Sequence, residues 1–183
     1  KAVFVDINLL KTLPENQIRN GLAEIIKYGV IKDEKFFTYL EKNLAKIFTH
    51  DEKVLNYVIE KSIAIKIAVV EKDEREAKNR MILNYGHTYG HALEKLSNYT
   101  LLHGYAISIG MVIVNEMATE KGLLKKSDAD RIKALFVKAE LPVYTMHKPT
   151  IKDLMTDKKS DGKSINFILP TKIGQVIIYN QKI

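Results

Sequence analysis

Three of the chain's five histidines stand at positions 87, 91 and 103. His87 and His91 are four residues apart, so on a helix their imidazoles share one face. Such a pair can grip one metal ion together, or one ring can bind while its neighbour works as acid or base. The sequence has no cysteine, so disulfides and thiolate sites are excluded and any metal sits on His, Asp or Glu. Thr88 follows His87 where the zinc-peptidase signature carries its glutamate base, so that hydrolytic mechanism has no support. Taken alone, the pair is a weak signal and fits two hydrogen-bonded histidines on a partly exposed helix somewhat better. Gly86, Gly90 and Gly104 each lie beside these histidines. A glycine inside a helix costs about 1 kcal/mol against alanine, so this pattern implies an unusual turn or close packing at the site.

The elements that must position these residues are mostly helical. The alternation in residues 1–7 predicts a short strand. Thr12, Pro14 and Glu15 read as a helix start, with Thr12 as N-cap, and that helix runs to about Tyr28 before Gly29. Asp33 opens a second helix on Phe36, Phe37, Leu40, Leu44 and Ile47, and Asp51 a third, long one through Val70. The segment 104–121 is apolar on nearly every face, which marks a buried helix, and Gly122 is its stop. Ser127 reads as the cap of a helix reaching about Glu140. Ile165–Leu169 and Gln175–Tyr179 read as two strands around a turn at residues 170–174. The expected fold is therefore one mainly α domain over 1–183, with a short N-terminal strand and a small C-terminal β-hairpin.

The net charge of +7 invites a nucleic-acid reading, but the lysines are scattered among acidic residues, as in 71–76, and form no basic stripe. A lysine-rich solvated surface, with some lysines holding an anionic small molecule, fits better. No nucleic-acid partner is expected. The longest apolar run, Ala106 to Val114, is broken by Ser108 and Gly110 and is too short for a membrane helix. No membrane partner is expected, and the default compartment is the cytoplasm. Helix 104–121 reads equally well as domain core or as the face of a homodimer.

Four segments in order, GLAEIIKYG (21–29), the stretch from Lys66 through VVEKDERE to Arg80, LNYGHTYGHALE (83–94) with HG at 103–104, and Asp157-Lys158-Lys159, resemble the 3-dehydroquinate synthases. The opening KAVFVDINLLKTLPE is similar to that family's join from its nucleotide domain. The resemblance implies that Glu24, His87 and His103 bind a divalent metal, zinc or cobalt. It places Lys27, Lys66, Arg80, Asn84 and His91 in the substrate site, with Lys158 and Lys159 near the phosphate end. Lys27, Lys66, Glu76 and His91 are the catalytic candidates, His91 as the proton carrier and Glu76 as an acid beside the cations. Two departures stand out: Tyr105 follows the HG pair where many relatives have Glu, and Lys78 replaces a Gly.

The implied activity is the metal- and NAD-dependent conversion of a seven-carbon sugar acid phosphate, 3-deoxy-D-arabino-heptulosonate 7-phosphate, to 3-dehydroquinate and phosphate. No G-x-G-x-x-G fingerprint occurs in the chain, so the NAD domain is expected to precede Lys1 and the chain alone is expected not to turn over. Two alternatives stay open. One is another sugar phosphate cyclase or polyol dehydrogenase of the same superfamily, against which Lys66 and Arg80 speak. The other is a non-catalytic metal-binding module.

Overall fold

A computed structural model describes residues 4–73, 79–147, 149–155 and 164–182. Its longest helices are α1 (Glu15–Lys32), α2 (Glu34–Phe48), α3 (Glu52–Asp73) and α5 (His103–Glu120). Three shorter ones, α4 (His87–Leu96), α6 (Lys126–Lys138) and α7 (Ile151–Met155), complete the set among the described residues. An antiparallel hairpin of β1 (Ser164–Lys172) and β2 (Gln175–Lys182) closes the chain's fold. Single 3-10 helices span Ile7–Thr12 and Asn79–Asn84.

The first residues depart from expectation. Phe4 to Asp6 form no strand, Ile7 opens a 3-10 helix, and Phe4 is 95% exposed. A strand needs a ladder, and the only sheet among the described residues is the β1–β2 hairpin. Thr12 ends that 3-10 helix rather than capping α1, which begins at Glu15 behind Pro14 without a side-chain cap. Gly29 does not stop α1. A Cβ there would lie 3.0 Å from Phe37 Cα, so this glycine lets α2 fold tightly back against α1. The turn is made at Asp33, whose side chain accepts a 2.9 Å hydrogen bond from the Phe36 amide. Asp51 caps α3 in the same way through the Val54 amide.

The helix predicted to be buried is the centre of the molecule. Ala106, Ile107, Ser108, Ile109, Gly110, Met111, Val112, Val114 and Asn115 of α5 are all buried, packed by α1, α4, α6 and β1. Burial on most sides explains why α5 is so apolar from Ala106 to Val114, and its exposed polar residues, Glu116 and Glu120, come only in the last turns. Gly122, at φ 68°, ends it as expected. Ser127 lies inside α6 rather than at its cap, because the amides of Asp128 and Ala129 already bond back to the Lys125 carbonyl. In the hairpin, β1 buries Ile165, Phe167, Ile168 and Leu169. Pro170 sits within β1 opposite Val176, beside a register shift, and the turn falls at residues 173–174. The Gly174 amide bonds to the Val30 carbonyl at 2.8 Å, which ties the hairpin tip to the end of α1.

No helix among the described residues is long and apolar enough to cross a membrane.

Candidate metal centre

Glu24 lies in the middle of α1, while His87 and His103 are the first residues of α4 and α5. Three separate helices therefore deliver one group each. The two histidine-bearing helices pack unusually closely: a Cβ on Gly110 would lie 2.1 Å from the Gly86 carbonyl oxygen, and one on Gly90 2.8 Å from Ile107 Cγ2. Gly86 itself is left-handed at φ 78°, which turns the chain directly into His87. The start of α5 is fixed from α1. The Asn20 side chain accepts the Gly104 amide at 2.6 Å, and a Cβ on Gly104 would come within 2.0 Å of the Asn20 carbonyl oxygen. Asn20 and Glu24 are four residues apart on α1, so one helix face both seats the α5 N-terminus and supplies the carboxylate.

The ring atoms converge on one oxygen. His87 Nε2 lies 3.2 Å and His103 Nε2 3.3 Å from Glu24 Oε1, while Lys27 Nζ bonds Glu24 Oε2 at 2.5 Å. The three potential donor atoms of Glu24, His87 and His103 lie within 4.8 Å of one another. On the far side of each ring an acceptor holds Nδ1: the Tyr85 carbonyl at 3.0 Å for His87 and the Glu94 carboxylate at 3.1 Å for His103. If both Nδ1 protons are donated outward, both Nε2 lone pairs are turned to the Glu24 side, the arrangement found in zinc ligands; with the proton on Nε2, each ring instead hydrogen-bonds Glu24 Oε1. One carboxylate and two neutral imidazoles form a three-ligand shell with open positions, so the residues present fit a catalytic zinc or a similar divalent ion.

The electrostatics agree with a site that holds charge. Burial alone would push the Glu24 carboxyl up, but hydrogen bonds from His103, His87 and Lys27, with the Lys27 charge, hold it well below the usual carboxylate range. His103 is raised, first by its hydrogen bond to Glu24 and further, against desolvation, by Glu94. Lys27 is only 4% exposed, and desolvation lowers its pKa while the Glu24 charge opposes that; Lys66 adds a smaller lowering.

The other predicted residues fall at different distances from this cluster. The His91 ring stands 5.4 Å from that of His87 and 6.1 Å from that of His103, edge-on to the former. Lys66 is exposed on α3 and close enough to Lys27 to be felt by it. Arg80 and Asn84 are exposed in the 3-10 helix Asn79–Asn84, which leads into Gly86. Tyr105 packs half-buried against the core, two residues past His103. Glu76, Lys78, Lys158 and Lys159 lie outside the described residues. Sequence reasoning gave no role to Glu94 or Asn20. Glu94 carried a signal, since it stands seven residues after His87 and three after His91, on the same face of α4.

Residues 21–161 match the family model described as 3-dehydroquinate synthase C-terminal. The chain is 44% identical over 181 residues to the 3-dehydroquinate synthase of Acetivibrio thermocellus, covering 97% of this chain and 50% of that protein. It is 48% identical over 189 residues to the 3-dehydroquinate synthase of Prochlorococcus marinus strain MIT 9515, covering 98% and 51%. Among solved structures it resembles a 2-epi-5-epi-valiolone synthase of Streptomyces hygroscopicus subsp. jinggangensis 5008 with NAD+ and Zn2+ bound. The TM-score there is 0.84 at 27% identity, over 97% of this chain and 51% of that one. It also resembles 2-deoxy-scyllo-inosose synthase complexed with carbaglucose-6-phosphate, NAD+ and Co2+, with a TM-score of 0.80 at 28% identity, over 98% and 52%. The chain thus spans about half the length of the curated relatives it matches. With its match running from the α1 segment that bears Glu24 through both histidine helices, the chain belongs to the 3-dehydroquinate synthase C-terminal family.

Proposed function

We propose that this chain is the metal- and substrate-holding part of a 3-dehydroquinate synthase, an enzyme that converts 3-deoxy-D-arabino-heptulosonate 7-phosphate to 3-dehydroquinate and phosphate. The observation that carries this reading is the meeting of Glu24, His87 and His103 at one oxygen atom, from three different helices. Relatives at 44–48% identity bear that enzyme name, and the similar solved structures are described with NAD+ and Zn2+ or Co2+.

When bound by Glu24, His87 and His103, a divalent ion supplies Lewis acidity, which eases loss of a proton from a substrate hydroxyl and polarises the resulting ketone. The remaining work belongs to the chain's side chains. Lys27, buried against Glu24 Oε2, keeps that carboxylate ionised and turned so that Oε1 faces the imidazoles. His91 is the proposed proton carrier at a substrate hydroxyl, a role supported by its ring contact with His87. Lys66 and Arg80 supply the cationic side that an anionic sugar acid phosphate needs, Arg80 with a fork suited to carboxylate. Lys158, Lys159 and Glu76 lie outside the described residues, and their proposed roles, the two lysines at the phosphate end and Glu76 beside the cations, rest on the family resemblance alone. Fixing one substrate through oxidation, elimination and ring closure is chiefly a matter of orientation and charge.

NAD is the second cofactor of this reading, supplying a hydride acceptor that returns the hydride within the turnover. Among the described residues the sheet is the antiparallel β1–β2 hairpin, not the parallel sheet with a glycine-rich turn of a dinucleotide-binding fold. Its seat is proposed to lie in a separate nucleotide-binding domain. Joining this chain to the remaining half of the Acetivibrio thermocellus relative should restore phosphate release and dehydroquinate formation, with the 183-residue chain alone inactive. Turnover by the chain alone, or none by the joined protein when it is folded and loaded with zinc and NAD, would count against the proposal.

A further inference from the structure

His103 lies between two carboxylates, with Nδ1 3.1 Å from Glu94 Oε1 and Nε2 3.3 Å from Glu24 Oε1. A neutral imidazole carries one proton. Placed on Nε2, it would point at the position a cation must occupy and leave the Nδ1 lone pair facing the Glu94 oxygen. Placed on Nδ1, it is donated to Glu94 at the shorter of the two distances, and the Nε2 lone pair faces Glu24 Oε1, whose carboxylate Lys27 already pairs, an opposition that a cation between them turns into ligation. We infer that Glu94 is a positioning residue for the metal centre, locking the tautomer and orientation of His103 so that Nε2 faces Glu24 and His87. This rests on the metal-centre reading above.

Three observations support it. The Glu94 side chain is only 16% exposed, against 41% for His103, so the carboxylate is the better-fixed member of the pair. Glu94 and His87 lie two turns apart on α4, so one rigid element carries a ligand and the support of the opposite ligand. That element is packed glycine-tight on α5, where His103 sits, which fixes the distance between them. His87 meets the same requirement differently, since its Nδ1 faces the neutral Tyr85 carbonyl. The two imidazoles are therefore unequal: His103, backed by a charged acceptor, is the more strongly donating ligand.

The test uses the full 183-residue chain, with Glu94→Ala and the isosteric Glu94→Gln. Long-range proton–nitrogen NMR of the metal-free chain at alkaline pH, where imidazoles are neutral, reads the His103 tautomer. Competition against a chelator reads zinc affinity. The expected result is an Nδ1–H tautomer for His103 in the wild type, lost in Glu94→Ala, with zinc binding weakened about 10- to 100-fold. Glu94→Gln keeps an acceptor oxygen without the charge and should fall between the two, which a merely structural loss would not produce.

An Nε2–H tautomer in the wild type, or equal zinc affinity in wild type and folded Glu94→Ala, would overturn the inference. So would a second zinc per chain that disappears with Glu94→Ala, because His91, Glu94 and His103 also bring donor atoms within 4.8 Å of one another. In that case Glu94 is a ligand itself. If the wild type takes no zinc, the metal-centre reading fails, and the tautomer still decides whether Glu94 positions His103.

Discussion

At the scale of single residues, the site is organised around the two oxygens of Glu24. One faces two imidazoles and the other a buried ammonium, so the carboxylate is held charged in a place where burial would otherwise neutralise it. Lys27 thus stabilises the metal-free centre as well as taking part in the proposed substrate site. Replacing it by methionine fills the volume but removes the partner of a largely buried charge. We expect a loss of about 2–4 kcal/mol in the metal-free chain, since uncompensated buried charges are costly. Zinc should recover most of that loss by neutralising Glu24 in its place. Urea unfolding of Lys27→Met with and without zinc checks this, and an equal loss in both conditions would separate Lys27 from the charge of Glu24. Much of this was legible in the sequence. The motifs around Glu24, Lys27, His87, His91 and His103 carried it through the family resemblance. Glu94 and Asn20 were not legible as parts of the site, because their roles exist only once α1, α4 and α5 are set side by side.

At the scale of elements, glycines and caps set the geometry. The same glycine letter means different things in different places. Gly122 ends a helix, while Gly29 sits inside one because Phe37 presses on it, and only tertiary contact separates the two cases. The Thr12 and Ser127 caps failed for a related reason: the helices begin elsewhere, at Glu15 and Lys126, on backbone bonds to Pro14 and Lys125. The strand expected at the start needed a neighbour that the described residues do not offer.

Two outcomes follow at this scale. Gly104→Ala places a methyl group 2.0 Å from the Asn20 carbonyl oxygen, so α1 and α5 must move apart. The expected cost is about 1–3 kcal/mol in urea unfolding, with weaker zinc binding because Glu24 and His103 ride on those helices. Unchanged zinc affinity in the folded variant would contradict the coupling. Asp33 caps α2 and pairs with Lys61 of α3 at 2.9 Å. Burial tends to raise its pKa, but the bonds from Lys61 and the Phe36 amide outweigh it and lower the folded-state value. A group depressed in the folded state contributes stability above its unfolded pKa, about 3.9, and loses it as pH falls through the folded value. Asp33→Asn keeps an acceptor for the cap but not the charge. Its deficit relative to wild type should be present at neutral pH and vanish in acid, whereas Asp33→Ala should stay about 1 kcal/mol less stable in acid as well. Thermal unfolding across that range reads both.

At the scale of the whole molecule, a buried helix, α5, organises everything around it. Its N-terminus presents a metal-ligand candidate, its middle packs α1, α4 and α6, and the hairpin covers another side. The sequence announced this helix through its unbroken apolar pattern. Whether that pattern meant core or a dimer face was open, and the packing of α1, α4, α6 and β1 against it accounts for the burial within one chain. In the proposed function, this arrangement holds one divalent ion at Glu24, His87 and His103.

The most direct measurement is the zinc content and affinity of the tag-free chain beside its His87→Ala, His103→Ala double variant, both confirmed folded by circular dichroism. The expected result is about one zinc per parent chain, as a single three-ligand site implies, and none on the double variant. Equal zinc binding by the two, or none by the folded parent, would contradict it.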